Sequence, residues 1–148
     1  MVTIINHQSI FDSTAQTLVN TVNCVGVMGK GLALEFKKLY PEMFEQYKMY
    51  CNQKLIQPGK LWLYKHDDKH WVLNFPTKCH WKYPSKIEYI EQGLQKFVNT
   101  YKEKNITDIA FPLLGCNNGG LNPNIVINIM IKYLQQCTDC NITIYDNR

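Results

Sequence analysis

Short apolar runs alternate with longer stretches of helical period along these 148 residues, and that alternation admits few folds. Val2–Asn6 and Thr17–Asn23 read as strands. Gly31–Tyr40 reads as a helix ended by Pro41. That proline opens a second helix through Asn52, with Met43, Phe44, Tyr47 and Tyr50 on one side. Lys60–Lys65 and His70–Phe75 flank the polar turn His66-Asp67-Asp68-Lys69 as a hairpin. From Ser85 to Lys104, the apolar residues Ile87, Ile90, Leu94, Val98 and Tyr101 recur at helical steps. Asp108–Phe111 is a short buried strand. Pro123–Cys137 is the last helix, with Val126, Ile129, Met130, Tyr133 and Leu134 inward, and Asn141–Tyr145 is the closing strand. The order β-β-α-α-β-β-α-β-α-β predicts an α/β fold with a mostly parallel sheet, and the length predicts one domain over 1–148.

Composition removes several function classes. Hydrophobic residues make up 45% and charged residues 19%, too apolar for a disordered chain and enough for a core without staples. No run approaches the ~18 apolar residues of a membrane span, so a membrane is not an expected partner. The N-terminal Met1-Val-Thr-Ile-Ile-Asn has no basic region and reads as a strand rather than a signal peptide, which predicts a cytoplasmic protein. The net charge of +4 comes from many lysines and a single arginine, Arg148. Duplex DNA read by sequence calls for arginine forks on guanine edges, and they are missing. Abundant lysine, asparagine and isoleucine are also what an AT-rich coding sequence produces. A phosphate partner would be held by lysine or by backbone N–H groups. Among the six cysteines only Cys137 and Cys140 have C-x-x-C spacing, without a second pair or a nearby histidine. No metal and no cofactor is expected.

Three segments serve no evident packing purpose: Cys24–Gly31, Asn74–Pro84 and Gly115–Leu121. Each follows the C-terminal end of an expected strand, the place where open α/β sheets bind ligands, so the three should converge. The first runs Asn23-Cys-Val-Gly26-Val27-Met28-Gly29-Lys30-Gly31 into a helix. Its glycines let the backbone approach a ligand, and the helix N-terminus favours phosphate. A tight strand-to-helix turn without a ligand explains the same spacing. A Walker loop would need glycine at Cys24 and Ser or Thr at Gly31. A dinucleotide fingerprint starting at Gly29 would need glycine at Leu34. The third segment, Gly115-Cys116-Asn117-Asn118-Gly119-Gly120-Leu121, repeats the arrangement before the last helix. Two such loops can clamp a diphosphate from opposite sides.

The runs LVNTVNCVGVMGKGLALEFKKLYPEMF, NFPTKCHW and FPLLGCNNGGLN, in this order, resemble the macro domain family over about Ile4 to Tyr145. The resemblance is to the branch containing the DarG-type DNA ADP-ribosyl glycohydrolase antitoxins and the terminal ADP-ribose protein glycohydrolases. It implies a three-layer α/β/α sandwich around a mixed sheet, with ADP-ribose across the strand ends. It further implies that Asn23 contacts the distal ribose and that Gly26 to Gly31 and Gly115 to Gly120 hold the diphosphate. Thr77, His80, Trp81 and Leu121 would complete the substrate site, and Tyr145 would pack on adenine. Two positions depart from the family: Ser9 stands where many members carry an aspartate for adenine, with Asp12 close by. Gly119 stands where the protein-directed enzymes carry an aspartate, which fits the DNA-directed branch.

Lys78 aligns with the lysine that this branch uses for catalysis. None of the three loops contains Asp or Glu, so the paired carboxylates of an ordinary glycosidase are missing. A neutral amine can instead attack the anomeric carbon of the distal ribose, or capture its ring-opened aldehyde as a Schiff base. Burial beside Phe75, Pro76 and Trp81, together with Lys82 and a charged His80, is expected to favour the neutral amine. Adjacent Cys79 and His80 suggest a thiol nucleophile, but neighbours in extended chain point apart. The expected function is removal of ADP-ribose from ADP-ribosylated thymidine in DNA, with a cognate ADP-ribosyltransferase toxin as partner. The alternatives are the same chemistry on ADP-ribosylated glutamate in proteins or on O-acetyl-ADP-ribose, and a non-catalytic ADP-ribose reader.

Overall fold

The computed structural model describes residues 2–148. Its strands are β1 (Val2–Asn6), β2 (Thr17–Val22), β3 (Trp62–Lys65), β4 (Trp71–Pro76), β5 (Asp108–Pro112) and β6 (Asn141–Asp146). Its helices are α1 (Gly31–Leu39), α2 (Pro41–Asn52), α3 (Ile87–Thr100) and α4 (Pro123–Leu134), and a 3-10 turn spans Ile10–Asp12. The strands form one sheet in the order β1-β6-β5-β2-β4-β3. Every pairing is parallel except the β3–β4 hairpin at one edge. The element order and the mixed, mostly parallel sheet are those read from the sequence.

Side chains alternate across the strands, and the two faces carry different helices. Val19, Leu73, Phe75, Ile109, Phe111, Ile142 and Ile144 pack on one face with Ile90, Leu94 and Phe97 of α3 and Val126, Met130 and Leu134 of α4. Val22 and Val72 face the other way, into Phe36 of α1 and Met43, Phe44 and Tyr47 of α2. The result is the expected three-layer α/β/α sandwich. Phe97, absent from the expected apolar set, is buried, while Ile87 and Val98 lie at the margin of the core. Gly93 lets α3 approach the sheet: a Cβ there would stand 2.2 Å from Cζ of Phe75.

Several element ends differ from the sequence reading for local reasons. Lys60 N–H bonds Gln57 O in a turn, so β3 starts at Trp62. Ser85 lies ahead of α3 because Lys86 is extended, at φ −126 and ψ 145, and Ser85 N–H ties that approach to Gly119 O. Ile106 N–H returns to Tyr101 O and Asn105 has φ +60, which stops that helix before Lys104. The three-residue bonds from Gln136 N–H to Tyr133 O and from Cys137 N–H to Leu134 O tighten the chain beyond α4. β6 runs one residue beyond the expected Asn141–Tyr145, so Tyr145 lies inside the strand, paired with Ile5 and Pro112, and not at its end. Among the described residues no helix is long and apolar enough to cross a membrane.

Candidate functional site

Because β5, β2 and β4 are adjacent and parallel, their C-terminal ends open side by side. The three singled-out loops therefore meet around one cleft of about 500 Å³. Strand pairing continues past β2 and β4: Thr77 N–H reaches Val22 O at 2.9 Å and Cys24 N–H reaches Cys79 O at 3.4 Å. The thiol of Cys24 also donates to Lys78 O at 3.3 Å. These bonds hold Asn23 and Lys78 on neighbouring backbones. Burial pushes the Cys24 thiol up to about 12, so it stays a donor and not a nucleophile.

Asn23 lines the cleft but is only 8% exposed. Its Oδ1 accepts from Val25 N–H at 3.0 Å and from Tyr47 OH at 2.8 Å, and its Nδ2 donates to Val27 O at 2.7 Å. The side chain thus organises the first glycine loop, leaving one amide hydrogen for a ligand. Val27, Gly29, Lys30 and Gly31 line the cleft. Gly26 and Met28 do not. Gly26, at φ +81, turns toward α2, where a Cβ would meet Cγ of Lys48 at 3.1 Å, and Met28 is buried in the core. Lys30 occupies the cap of α1 without a side-chain bond to its N–H groups. That leaves the first turn, where Gly31, Leu32 and Ala33 line the cleft, open to an anion.

The third loop faces the first, since a Cβ on Gly31 would stand 3.0 Å from Nδ2 of Asn118. Gly115, Cys116, Asn117, Asn118 and Gly119 line the cleft, whereas Gly120 and Leu121 do not. Leu121 N–H closes the loop on Gly115 O at 3.0 Å. The N-terminus of α4 is already satisfied by Asn122, whose Oδ1 accepts from Asn124 N–H at 2.9 Å. Only one of the two expected helix ends is therefore free for phosphate. Gly119 is glycine for an internal reason: a Cβ would lie 2.2 Å from Oγ of Ser85 and 2.4 Å from Gly115 O. By contrast, a Cβ on Gly29 would meet only Val27 Cγ1 at 3.4 Å.

Lys78 and Thr77 line the opposite wall together with Trp81. Nζ of Lys78 donates to Trp81 O at 3.3 Å. Burial, and then the Lys30 cation across the cleft, hold its ammonium below the ordinary lysine range. The charged neighbour is Lys30, and not Lys82 or His80 as the sequence suggested. His80 stands outside the cleft lining, and Cys79 turns to Tyr89 OH at 3.2 Å. Tyr145 is buried against Ile10 and Ala110 and does not line the cleft. Ser9 Oγ accepts from Phe11 N–H at 3.1 Å, capping the 3-10 turn.

Sequence reasoning missed Thr21, Val22, Leu32, Ala33, Pro112 and Leu113 in the cleft wall. All belong to a strand end, the start of a helix or the residue following a strand beside a glycine-rich loop, which is the signal that could have found them. It also missed Ser85, whose buried Oγ, beneath the third loop, has no hydrogen-bond partner among the described residues.

Residues 19–130 match the Macro domain family. The chain is 44% identical over 133 residues to a DNA ADP-ribosyl glycohydrolase of Mycobacterium tuberculosis, covering 88% of this chain but 38% of that protein. It is 41% identical to the macrodomain of Mycobacterium tuberculosis DarG, covering 99% of this chain and 97% of that one, with a TM-score of 0.93. Thermosipho africanus DarTG, solved in complex with ADP-ribose, is 37% identical over 97% of this chain and 41% of that one, with a TM-score of 0.88. A three-layer sandwich with its glycine loops around one cleft, and these likenesses in sequence and structure, lead to one conclusion: the chain belongs to the macro domain family.

Proposed function

We propose that this macro domain is a DNA ADP-ribosyl glycohydrolase that releases ADP-ribose from thymidine through Lys78. The observation that carries the reading is Lys78 itself: a lysine amine held below its ordinary pKa range, in a cleft whose described lining includes no Asp or Glu. The open N-terminus of α1 and the facing third loop suit a diphosphate. The free amide hydrogen of Asn23 suits a ribose hydroxyl on the neighbouring backbone.

In the proposed reaction the neutral Nζ attacks the anomeric carbon of the distal ribose. The bond to thymidine breaks, its electron pair leaves on the base, and the base takes up a proton. Water then hydrolyses the Lys78–ribose adduct and regenerates the amine. The named activity of the Mycobacterium tuberculosis relative supports DNA as the substrate class. An ADP-ribosyltransferase is the proposed partner, because a Thermosipho africanus relative is named a transferase–glycohydrolase fusion.

The test places an ADP-ribosylated oligonucleotide and an ADP-ribosylated protein side by side. Release from the oligonucleotide alone is the expected result. Release from the protein alone moves the activity to the protein-directed branch. Tight ADP-ribose binding with release from neither leaves a reader.

A further inference from the structure

Beside the cleft lies an aromatic surface that the proposed reaction does not use. Tyr83 is 59% exposed and Trp81 52% exposed, unusual for rings of this size in a chain with a well-filled core. His80 packs between them, with its ring centroid 5.2 Å from each. The arrangement is fixed locally. Tyr83 N–H donates to His80 O at 3.1 Å, and Nδ1 of His80 accepts from Lys82 N–H at 3.1 Å. The three rings are thus held in place before anything binds, which lowers the entropy cost of stacking on them.

The charge along this segment has one sign. Between Asp68 and Glu88 the chain carries Lys69, Lys78, Lys82 and Lys86 and no carboxylate. Lys82 and Lys86 are exposed on either side of Tyr83. The platform is also joined to the cleft, because Trp81 lines it and Trp81 O holds Nζ of Lys78.

Exposed aromatic faces interleaved with lysine match a polyanion whose bases are open for stacking. A duplex hides those faces, and the segment has no arginine with which to read base edges. An acidic peptide would satisfy the lysines but leave the rings without a partner. Resting on the DNA-directed reading above, we propose that His80, Trp81 and Tyr83 form a stacking platform for single-stranded DNA. A base next to the modified thymidine lies on Tyr83, and Lys82 and Lys86 hold the flanking phosphates. The partner is single-stranded and its sequence is read weakly.

Tyr83→Ala and Lys82→Gln lie outside the cleft and test this without touching the ADP-ribose contacts. Two readouts are needed: binding of unmodified oligothymidylate, and kcat/KM on an ADP-ribosylated oligonucleotide against ADP-ribosylated thymidine nucleoside. Tyr83→Ala should weaken oligothymidylate binding and lower kcat/KM on the oligonucleotide by about tenfold, with the nucleoside rate unchanged. Lys82→Gln should reduce the salt slope of oligothymidylate binding by about one. Parental behaviour of both variants on both readouts overturns the platform, as does equal binding of an acidic peptide that Tyr83→Ala leaves intact. Failure of the parent to release ADP-ribose counts against the glycohydrolase reading instead, and the binding readout still judges the platform.

Discussion

Tyr47 hydrogen-bonds Asn23: its hydroxyl lies 2.8 Å from both the backbone carbonyl and the side-chain Oδ1. A tyrosine in the middle of α2, fully inside the core, thereby sets the geometry of a residue in the cleft wall. Burial raises the phenol above its ordinary range, so it remains a donor at all working pH.

Tyr47→Phe keeps the ring and removes the donor, so Asn23 O loses the Tyr47 hydrogen bond while Oδ1 retains the one from Val25 N–H. Denaturant unfolding should show a loss of about 1–2 kcal/mol. ADP-ribose affinity, followed by calorimetry, should fall several-fold in the same variant. A stability loss with parental affinity would mean that the loop holds its shape without Tyr47.

The two glycine-rich loops predict opposite outcomes for one substitution. Gly119→Ala drives a methyl group into Ser85 and Gly115 O and should cost about 1–3 kcal/mol of stability. Gly29→Ala has room in the fold and points the cost at the ligand. It should melt like the parent yet lose most of the stabilisation by ADP-ribose, which for the parent is roughly 2.7 kcal/mol at 100 times the dissociation constant. Thermal melts with and without ADP-ribose check both.

Gly93→Ala tests the close packing of α3 on the sheet. A Cβ 2.2 Å from Phe75 cannot be accommodated without moving the ring or the helix. The expected loss is about 1–3 kcal/mol. Phe75→Leu in the same chain should recover part of it, measured as a double-mutant cycle in denaturant.

The pH dependence follows from Lys78 acting as a neutral amine. Its pKa is held below the ordinary lysine value by burial and by Lys30. Single-turnover release should therefore rise with pH and level off above the Lys78 pKa. Lys30→Gln removes the neighbouring cation, raises that pKa and should shift the rising limb to higher pH. An unmoved limb would show that burial alone tunes the lysine.

Much of this was legible in the sequence because patterning and glycine spacing are local. The β-β-α-α-β-β-α-β-α-β order and the convergence of three loops follow from period and position, and the three-layer sandwich is what the family resemblance implies. What was illegible depends on partners distant in the chain. Nothing near Lys78 in sequence points to Lys30, which the glycine loop between β2 and α1 brings to the same cleft. Gly119 reads as a phosphate glycine until Ser85 is found beneath it. Gly115–Leu121 looks like a second phosphate loop at a helix start, yet Asn122 caps α4 and removes that helix end from the site. Tyr145 looks like the end of the last strand, free to meet adenine, but β6 runs through Asp146 and buries it.

The central claim is that Lys78 performs the chemistry while the loops perform the binding. The measurement is single-turnover release of ADP-ribose from an ADP-ribosylated oligonucleotide by Lys78→Ala, with ADP-ribose affinity titrated on the same preparation. Release should be abolished and affinity should stay close to that of the parent, since an interaction used only in the transition state lowers turnover without weakening ground-state binding in proportion. Parental release by Lys78→Ala would contradict the lysine mechanism.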